Sequence, residues 1–71
     1  MGEKLATPGD YIHSRRRRLA ITKGEAARLA GLTDGQWRDI EQSRRLPTDH
    51  ELTAVARVLQ VDAGLLKRRY G

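Results

Sequence analysis

The sequence predicts an all-α fold, a compact domain of five helices. Four short segments each begin with Thr and end three residues later with Glu, Gln or Asp, and an apolar pattern of helical spacing follows each. This is the pattern of the capping box, in which two side chains satisfy free backbone donors at the start of a helix. These segments are residues 22–25, 33–36 and 48–51 and, as a weaker version that ends with Asp, residues 7–10. No segment shows the strict alternation of a strand.

The predicted helices cover about 8–20, 23–30, 34–42, 48–59 and 63–67, with residues 1–6 and 69–71 frayed. Pro8 suits the first position of the first helix, where the missing N–H would have no partner in any case. The second helix ends at Gly31, since glycine readily adopts the left-handed conformation that terminates helices. Leu32 can pack on Trp37 as a hydrophobic staple at the start of the third helix, so Trp37 is interpreted as a core residue.

The last two helices complete the core. Pro47 separates the third helix from the fourth, and Asp62 can cap a short fifth helix. The apolar residues of each helix fall on one face. The predicted core consists of Ile12, Leu19, Ile21, Ala26, Ala27, Ala30, Leu32, Trp37, Ile40, Leu52, Val55, Ala56 and Leu59, while Val61, Leu65 and Leu66 close the end of the domain or meet a partner.

Length and composition restrict the classes of function. The 71 residues make one domain, residues 1–71, with 14 Lys and Arg against 9 Asp and Glu, a net charge of +5. Eleven of the fourteen cations are Arg, whose forked guanidinium matches phosphate, so nucleic acid is the expected partner.

Other classes of function have little support. There is no Cys, and His13 and His50 are far apart, so neither a metal site nor a catalytic site is expected. We expect no cofactor, no small-molecule ligand and no enzymatic activity. The sequence has no apolar run of membrane-spanning length and no signal peptide, which predicts a cytoplasmic location and no membrane partner.

Residues 31–33 join the second and third helices through a short turn with Gly, as in a helix-turn-helix, and Ala27 is small enough for the two helices to cross closely. The segment ITKGEAARLAGLTDGQWRDIEQSRRLP, with LTAVARVLQV after it, resembles the lambda-repressor-like family, the Xre and Cro type of phage and bacterial transcription regulators. The resemblance extends over about residues 10–66, and SRRRRLAIT is most similar to actinobacterial members. It implies a repressor or Cro-like protein that binds operator DNA as a two-fold homodimer, with the third helix in the major groove.

The resemblance also implies roles for individual residues. The exposed face of the third helix would read bases through Asp34, Gly35, Gln36, Arg38 and Asp39. Phosphate contacts would come from Thr22, Lys23, Gln42, Arg44 and Arg45. Arg16 and Glu41 would form an internal ion pair between the first and third helices. From the run of four arginines, Arg15 is expected to place its head near a phosphate, and Leu65 and Leu66 are candidates for a dimer seam.

Acids on a helix that faces DNA need an explanation. Asp34 lies in the first turn, where it complements the positive end of the helix dipole. Asp39 can accept a hydrogen bond from a cytosine amino group, or it can orient Arg38 or Arg45 toward a guanine. Alternatively, the helix has lost base reading.

Two functions of other classes therefore stay open at this point. One is an antitoxin of the same fold that binds a toxin protein. The other is a protein-interaction module that does not bind DNA.

Overall fold

The computed structural model describes residues 7–71, and the predicted fraying of residues 1–6 lies outside them. Five helices follow one another along the chain. They are α1 (Pro8–Arg18), α2 (Lys23–Ala30), α3 (Asp34–Glu41), α4 (Asp49–Leu59) and α5 (Ala63–Tyr70). Residues 7–71 contain no strand, and the all-α prediction is confirmed.

Each helix begins after a residue whose side-chain oxygen accepts a hydrogen bond from the backbone N–H three residues later. These residues are Thr7, Thr22, Thr33, Thr48 and Asp62. The box predicted at Thr22 and Glu25 is only half formed, since the exposed Glu25 does not bond back to the backbone of Thr22. The weaker pattern at Thr7 and Asp10 is a complete box instead, with Asp10 Oδ2 3.2 Å from the Thr7 nitrogen.

Helix α1 ends at Arg18, two residues before the predicted end. The backbone reverses at Ala20, whose φ of 57° lies in the left-handed region. The Ile21 N–H then donates to the Arg16 carbonyl, 3.3 Å away. This turn packs Ile21 against the core, which a continuing helix would not do.

The predicted bounds of the third and fourth helices each differ from the structure by one residue. Helix α3 ends at Glu41 because Gln42 is its C-cap and Ser43 turns into the left-handed region, with a φ of 61°. Helix α4 begins at Asp49, since Thr48 is its N-cap and has extended backbone.

The predicted end of α5 at residue 67 is wrong, because the helix continues through Tyr70. Two contacts hold its last turn. The Arg69 guanidinium carbon lies 3.9 Å from the centroid of the Tyr11 ring, a cation–π contact with α1. Tyr70 packs half-buried against the core. Arg69 and Tyr70, predicted in a frayed end, are thus ordinary helical residues.

The core is formed by side chains from all five helices. Its buried apolar members are Ile12, Ala26, Ala27, Trp37, Ile40, Leu52, Val55, Ala56, Val58, Leu59 and Leu66. Leu19, predicted in the core, is half-buried because it caps the end of α1 instead of lining a helical face. Trp37 is completely buried, which confirms its interpretation as a core residue.

The packing leaves one face of α3 open. Helix α3 packs against α2 on one side and α1 on another, while α4 contacts α2 and α5. Within the described part of the chain, no helix is both long and apolar enough to cross a membrane.

Candidate nucleic-acid interface

The turn between α2 and α3 places the two helices against each other. Gly31 ends α2 with a φ of 74°, a conformation that a residue with a side chain adopts only at a cost. The Leu32 N–H donates to the Ala27 carbonyl at 2.8 Å and closes the turn. Ala27 is fully buried where the two helices meet. The segment therefore has the geometry of a helix-turn-helix.

A buried polar cluster attaches α3 to α1. Glu41 Oε2 accepts hydrogen bonds from Arg16 Nε at 2.6 Å and from Trp37 Nε1 at 2.5 Å. Arg16 also donates from Nη1 to the Ile21 carbonyl at 2.7 Å. Arg16 and Glu41 are 7% and 6% exposed, so their charges are paired inside the protein. The structure thus brings together the two residues that the resemblance paired.

His13 belongs to this cluster and was not identified from the sequence. Its Nδ1 lies 2.9 Å from Glu41 Oε1 and 3.1 Å from Arg16 Nη2. His13 precedes Arg16 by three residues, and residues at this spacing are neighbours on one helix face. This spacing was the available signal, although the sequence does not say that His13 faces inward.

The cluster keeps the Glu41 carboxylate ionised. Burial by itself raises the pKa of Glu41, but the hydrogen bonds from Arg16, His13 and Trp37 outweigh burial and hold this pKa below its ordinary value of 4.5. The negative charge of Glu41 is therefore paired inside the protein, and it does not lie on the exposed face of α3.

The outer face of α3 carries the five predicted base-reading residues. Asp34 and Arg38 are exposed, while Gly35, Gln36 and Asp39 are partly covered. The Gln36 side chain is already engaged, because its Oε1 accepts a hydrogen bond from the Thr33 N–H at 3.0 Å. Arg38 Nε lies 3.4 Å from Asp39 Oδ1, a solvent-exposed ion pair along the helix.

Asp34 lies beside the start of α2. A Cβ placed on Gly24 would be 3.6 Å from Asp34 Oδ2. The carboxylate therefore lies close to the first turns of both α3 and α2, where free N–H groups create positive potential. This position agrees with a role at the helix starts.

Two of the predicted phosphate contacts lie at the N-terminus of α2. Thr22 caps the helix, with its Oγ1 accepting from the Glu25 N–H at 3.1 Å. Lys23 is the first helical residue, and its exposed side chain makes no ion pair with any residue in 7–71. A free cation next to free backbone N–H groups is a suitable environment for a phosphate oxygen.

The loop after α3 carries three more of these predicted contacts. Gln42 and Arg44 are exposed. Arg45 is partly buried, and its Nη2 donates to Glu51 Oε2 on α4 at 2.5 Å. The hydrogen bond from Arg45 lowers the pKa of Glu51, with a smaller contribution from the Thr48 backbone. Arg45 is thus partly committed to holding the loop on α4.

Arg15 and Leu66 differ from their predicted settings. Arg15 Nε donates to the Leu59 carbonyl at 3.0 Å, so its head lies at the C-terminal end of α4. A cation there complements the negative end of the helix dipole. Leu66 is only 1% exposed and belongs to the core, so its assignment to a dimer seam is wrong, whereas Leu65 is 57% exposed.

The described residues contain no group of three or more His, Cys, Asp or Glu arranged to hold a metal ion.

Comparison with known proteins gives a family and solved structures of similar fold. The family model described as a helix-turn-helix domain matches residues 9–68. The P22 c2 repressor in complex with the synthetic operator 9T, crystallised in the presence of Tl⁺, is 25% identical, with a TM-score of 0.80 over 84% of this chain and 91% of that one. The nuclear magnetic resonance structure of the DNA-binding domain of the P22 c2 repressor is 23% identical, with a TM-score of 0.82 over 92% of this chain and 86% of that one. No curated protein sequence matches the chain.

Proposed function

This chain belongs to the helix-turn-helix domain family, and from that premise we propose that it is a sequence-specific DNA-binding transcription regulator. One observation carries the proposal. The buried Glu41 cluster attaches one face of helix α3 to α1, and the opposite face of α3 exposes polar and charged side chains. The P22 c2 repressor, which shares this fold, has been solved in complex with a synthetic operator. In this reading α3 enters the major groove and its exposed face contacts base edges.

The charges around α3 support a polyanionic partner. Lys23 at the start of α2 and Arg44 in the loop after α3 are exposed cations on the two sides of the helix-turn-helix. They contribute to attraction that does not depend on sequence, since each phosphate neutralised releases counterions. Asp34 and Asp39 oppose this attraction near the middle, which makes binding more dependent on correct base contacts.

The same proposal extends to assembly and location. Two copies would bind an operator with two-fold symmetry, with half-sites one helical turn apart. The exposed Leu65 on α5 is the residue that we assign to the contact between the copies. Such a regulator works where the DNA is, in the cytoplasm of a bacterial cell, and its function requires no enzymatic step.

Replacement of Lys23 by Ala tests the phosphate contact. We expect K23A to weaken binding to operator and non-operator duplexes by a similar factor, because a phosphate contact carries no sequence information. Log affinity decreases as log salt increases, and the steepness of this decrease should become smaller by about 0.9 for each Lys23 that contacts a phosphate. Fluorescence anisotropy with labelled duplexes over a salt series measures both quantities.

The matched control is R68A, which removes one exposed cation from α5, a helix that packs on α4 and α1 and is not part of the helix-turn-helix. R68A should leave the salt slope almost unchanged. If the two variants lose equal affinity and equal salt slope, Lys23 contributes only to the general charge, and its assignment as a phosphate contact is wrong.

A further inference from the structure

The structure indicates which residue of α3 reads a base, and which base. Resting on the DNA-binding function proposed above, we propose that Arg38 reads a guanine in the major groove, from a position that the missing side chain of Gly35 leaves open, and that Asp39 positions it.

The Arg38 guanidinium lies back along α3, over Gly35. A Cβ placed on Gly35 would be 3.7 Å from Arg38 Nη2, which is ordinary van der Waals contact. Residues three apart share a helix face, so Arg38 extends over the position from which a longer residue 35 would project. The cationic head therefore lies closer to the N-terminal half of α3 than its own Cα does, and in a helix-turn-helix this half contacts the bases.

Asp39 holds the arginine by one edge only. Its Oδ1 lies 3.4 Å from Arg38 Nε, and no hydrogen bond from the two terminal nitrogens of Arg38 to another described residue is present. These nitrogens are a pair of parallel donors. Guanine presents two acceptors, O6 and N7, in the major groove, and a bidentate arginine contact to them is the commonest specific contact in protein–DNA complexes.

The neighbouring side chains do not favour another base. Bidentate reading of adenine requires an amide whose oxygen accepts and whose nitrogen donates, but the oxygen of Gln36 already accepts from the Thr33 N–H. Gln36 therefore presents mainly donors to the groove. Asp34 lies beside Gly24. The Asp39 carboxylate is paired with Arg38. Arg38 is therefore the side chain on this face that offers a free pair of parallel donors, which match guanine.

Of the other arginines near the candidate interface, three are held elsewhere in the fold, whereas the exposed Arg44 lies in the loop after α3 and not on the helix. Arg15 donates to the Leu59 carbonyl, Arg16 is buried against Glu41, and Arg45 donates to Glu51. Of the two arginines that Asp39 might have oriented, it contacts Arg38 and not Arg45. The pairing with Asp39 also places an acid beside the base contact. A base without acceptors would leave the terminal nitrogens of Arg38 without a partner, and the acid would add no attraction for the DNA to compensate.

The test is selection of binding sites from a random duplex library with the wild-type protein and with R38Q. We expect the wild type to select a guanine at one position in each half-site and R38Q to lose that preference while the other positions stay unchanged. In competition binding, a guanine-to-adenine change at that position should weaken the wild type by about 5- to 150-fold and R38Q by a much smaller factor. A guanine preference that survives in R38Q would overturn the inference.

R44Q is the charge-matched control for R38Q, because Arg44 is also an exposed arginine but lies in the loop after α3. It should weaken all sequences alike and leave the selected bases unchanged. Both residues are exposed, so the variants should fold, and the fluorescence of the buried Trp37 verifies this.

Asp39 and Gly35 are tested by the selected base. D39N should still select guanine, but with a smaller preference and a higher affinity for random duplex. If D39N instead changes the selected base at a different position, Asp39 itself reads that base and is not a positioning residue for Arg38. G35L should displace Arg38 and weaken the preference for the same guanine.

The two proposals fail in different ways. If the wild type selects no sequence at all, the proposed regulator function fails. If the wild type selects an operator but its base preferences do not change in R38Q, only the inference about Arg38 fails.

Discussion

Replacement of Glu41 by Gln is expected to destabilise the protein by about 3 kcal/mol, because it breaks a buried ion pair on one side only. Arg16 would keep its charge inside the protein without a partner, at 7% exposure. Two donors, Arg16 Nε and Trp37 Nε1, converge on one oxygen of Glu41, and His13 lies against the other. An amide offers one accepting oxygen and one NH₂ group, so it cannot accept at both positions.

The effect should be large relative to the stability of such a small domain. Domains are stable by about 5–15 kcal/mol, and a short chain belongs to the low end of that range. A loss of about 3 kcal/mol corresponds to a decrease in Tm of more than about 10 °C. Trp37 is the only tryptophan in the sequence and is fully buried, so its fluorescence reports unfolding directly.

E25Q is the matched control, since Glu25 is exposed and its side chain does not complete the capping box. A substitution of this kind should change the stability by less than about 0.5 kcal/mol. Equal Tm values for E41Q and the wild type would mean that the Glu41 cluster does not hold α3 to α1.

The same cluster predicts a dependence on pH. The folded pKa of Glu41 is lowered, so the carboxylate stabilises the fold fully above its unfolded value, about 4.5. This contribution is lost as the pH falls below that value and through the folded pKa. The difference in stability between wild type and E41Q should therefore be constant near neutral pH and shrink below about pH 4.5. A difference that stays constant into acid would contradict the ionised state of Glu41.

Replacement of Gly9 by Ala is expected to have the second large effect. Gly9 lies on α1 directly against the backbone of α3, where a Cβ would clash with the Glu41 carbonyl and would lie 2.7 Å from the Ile40 carbonyl oxygen. Neither backbone atom can move as a flexible side chain does, so the two helices must separate. Overpacking of this kind costs about 1–3 kcal/mol, and separation also pulls Arg16 away from Glu41.

G24A is the matched control for G9A, because a Cβ at Gly24 meets only the Asp34 side chain, whose nearest atom, Oδ2, is 3.6 Å away. Alanine is the better residue within a helix by about 0.5–1 kcal/mol, so G24A should be as stable as the wild type or more stable. Chemical denaturation followed by Trp37 fluorescence compares the two variants. If G9A is as stable as G24A, the close approach of α1 and α3 is wrong.

Local signals in the sequence predicted the helices well. Thr33, Gln36 and Gly31 define the start of α3 and the end of α2 through hydrogen bonds and backbone preferences that span only a few residues. Because such effects do not depend on the rest of the fold, they can be predicted from the sequence. The buried stripe of α4 follows in the same way from its period.

Contacts between distant segments were not predictable in this way. In the sequence, Gly9 is only an interior residue of the segment 7–10. Its contact with the backbone of α3 is visible only in the folded structure. The end of α5 depends on Tyr11, more than fifty residues earlier. Leu65 and Leu66 are adjacent and equally apolar, and only the direction of α5 decides that Leu66 is buried and Leu65 exposed.

The same limit applies to the candidate interface. The sequence and its resemblance placed Arg38 among the base-reading candidates and Arg15, Arg44 and Arg45 among the phosphate contacts, without showing which of them have partners inside the protein. The structure distinguishes them by their partners, since Arg15 and Arg45 donate to α4 whereas Arg38 keeps its terminal nitrogens available beside Asp39. Sequence patterns thus pointed to the helix that we propose for DNA binding, and the packing around it is the reason that we propose Arg38 as the base-reading residue.

The most direct test of the account measures wild-type binding to a duplex enriched from a random library and to a scrambled duplex of the same length and composition. We expect the enriched duplex to bind at least about 10³-fold more tightly at physiological salt, which is the lower end for specific DNA-binding proteins. Both affinities should fall as salt is raised. Equal affinity for the two duplexes would contradict the central claim, that the exposed face of α3 reads DNA sequence.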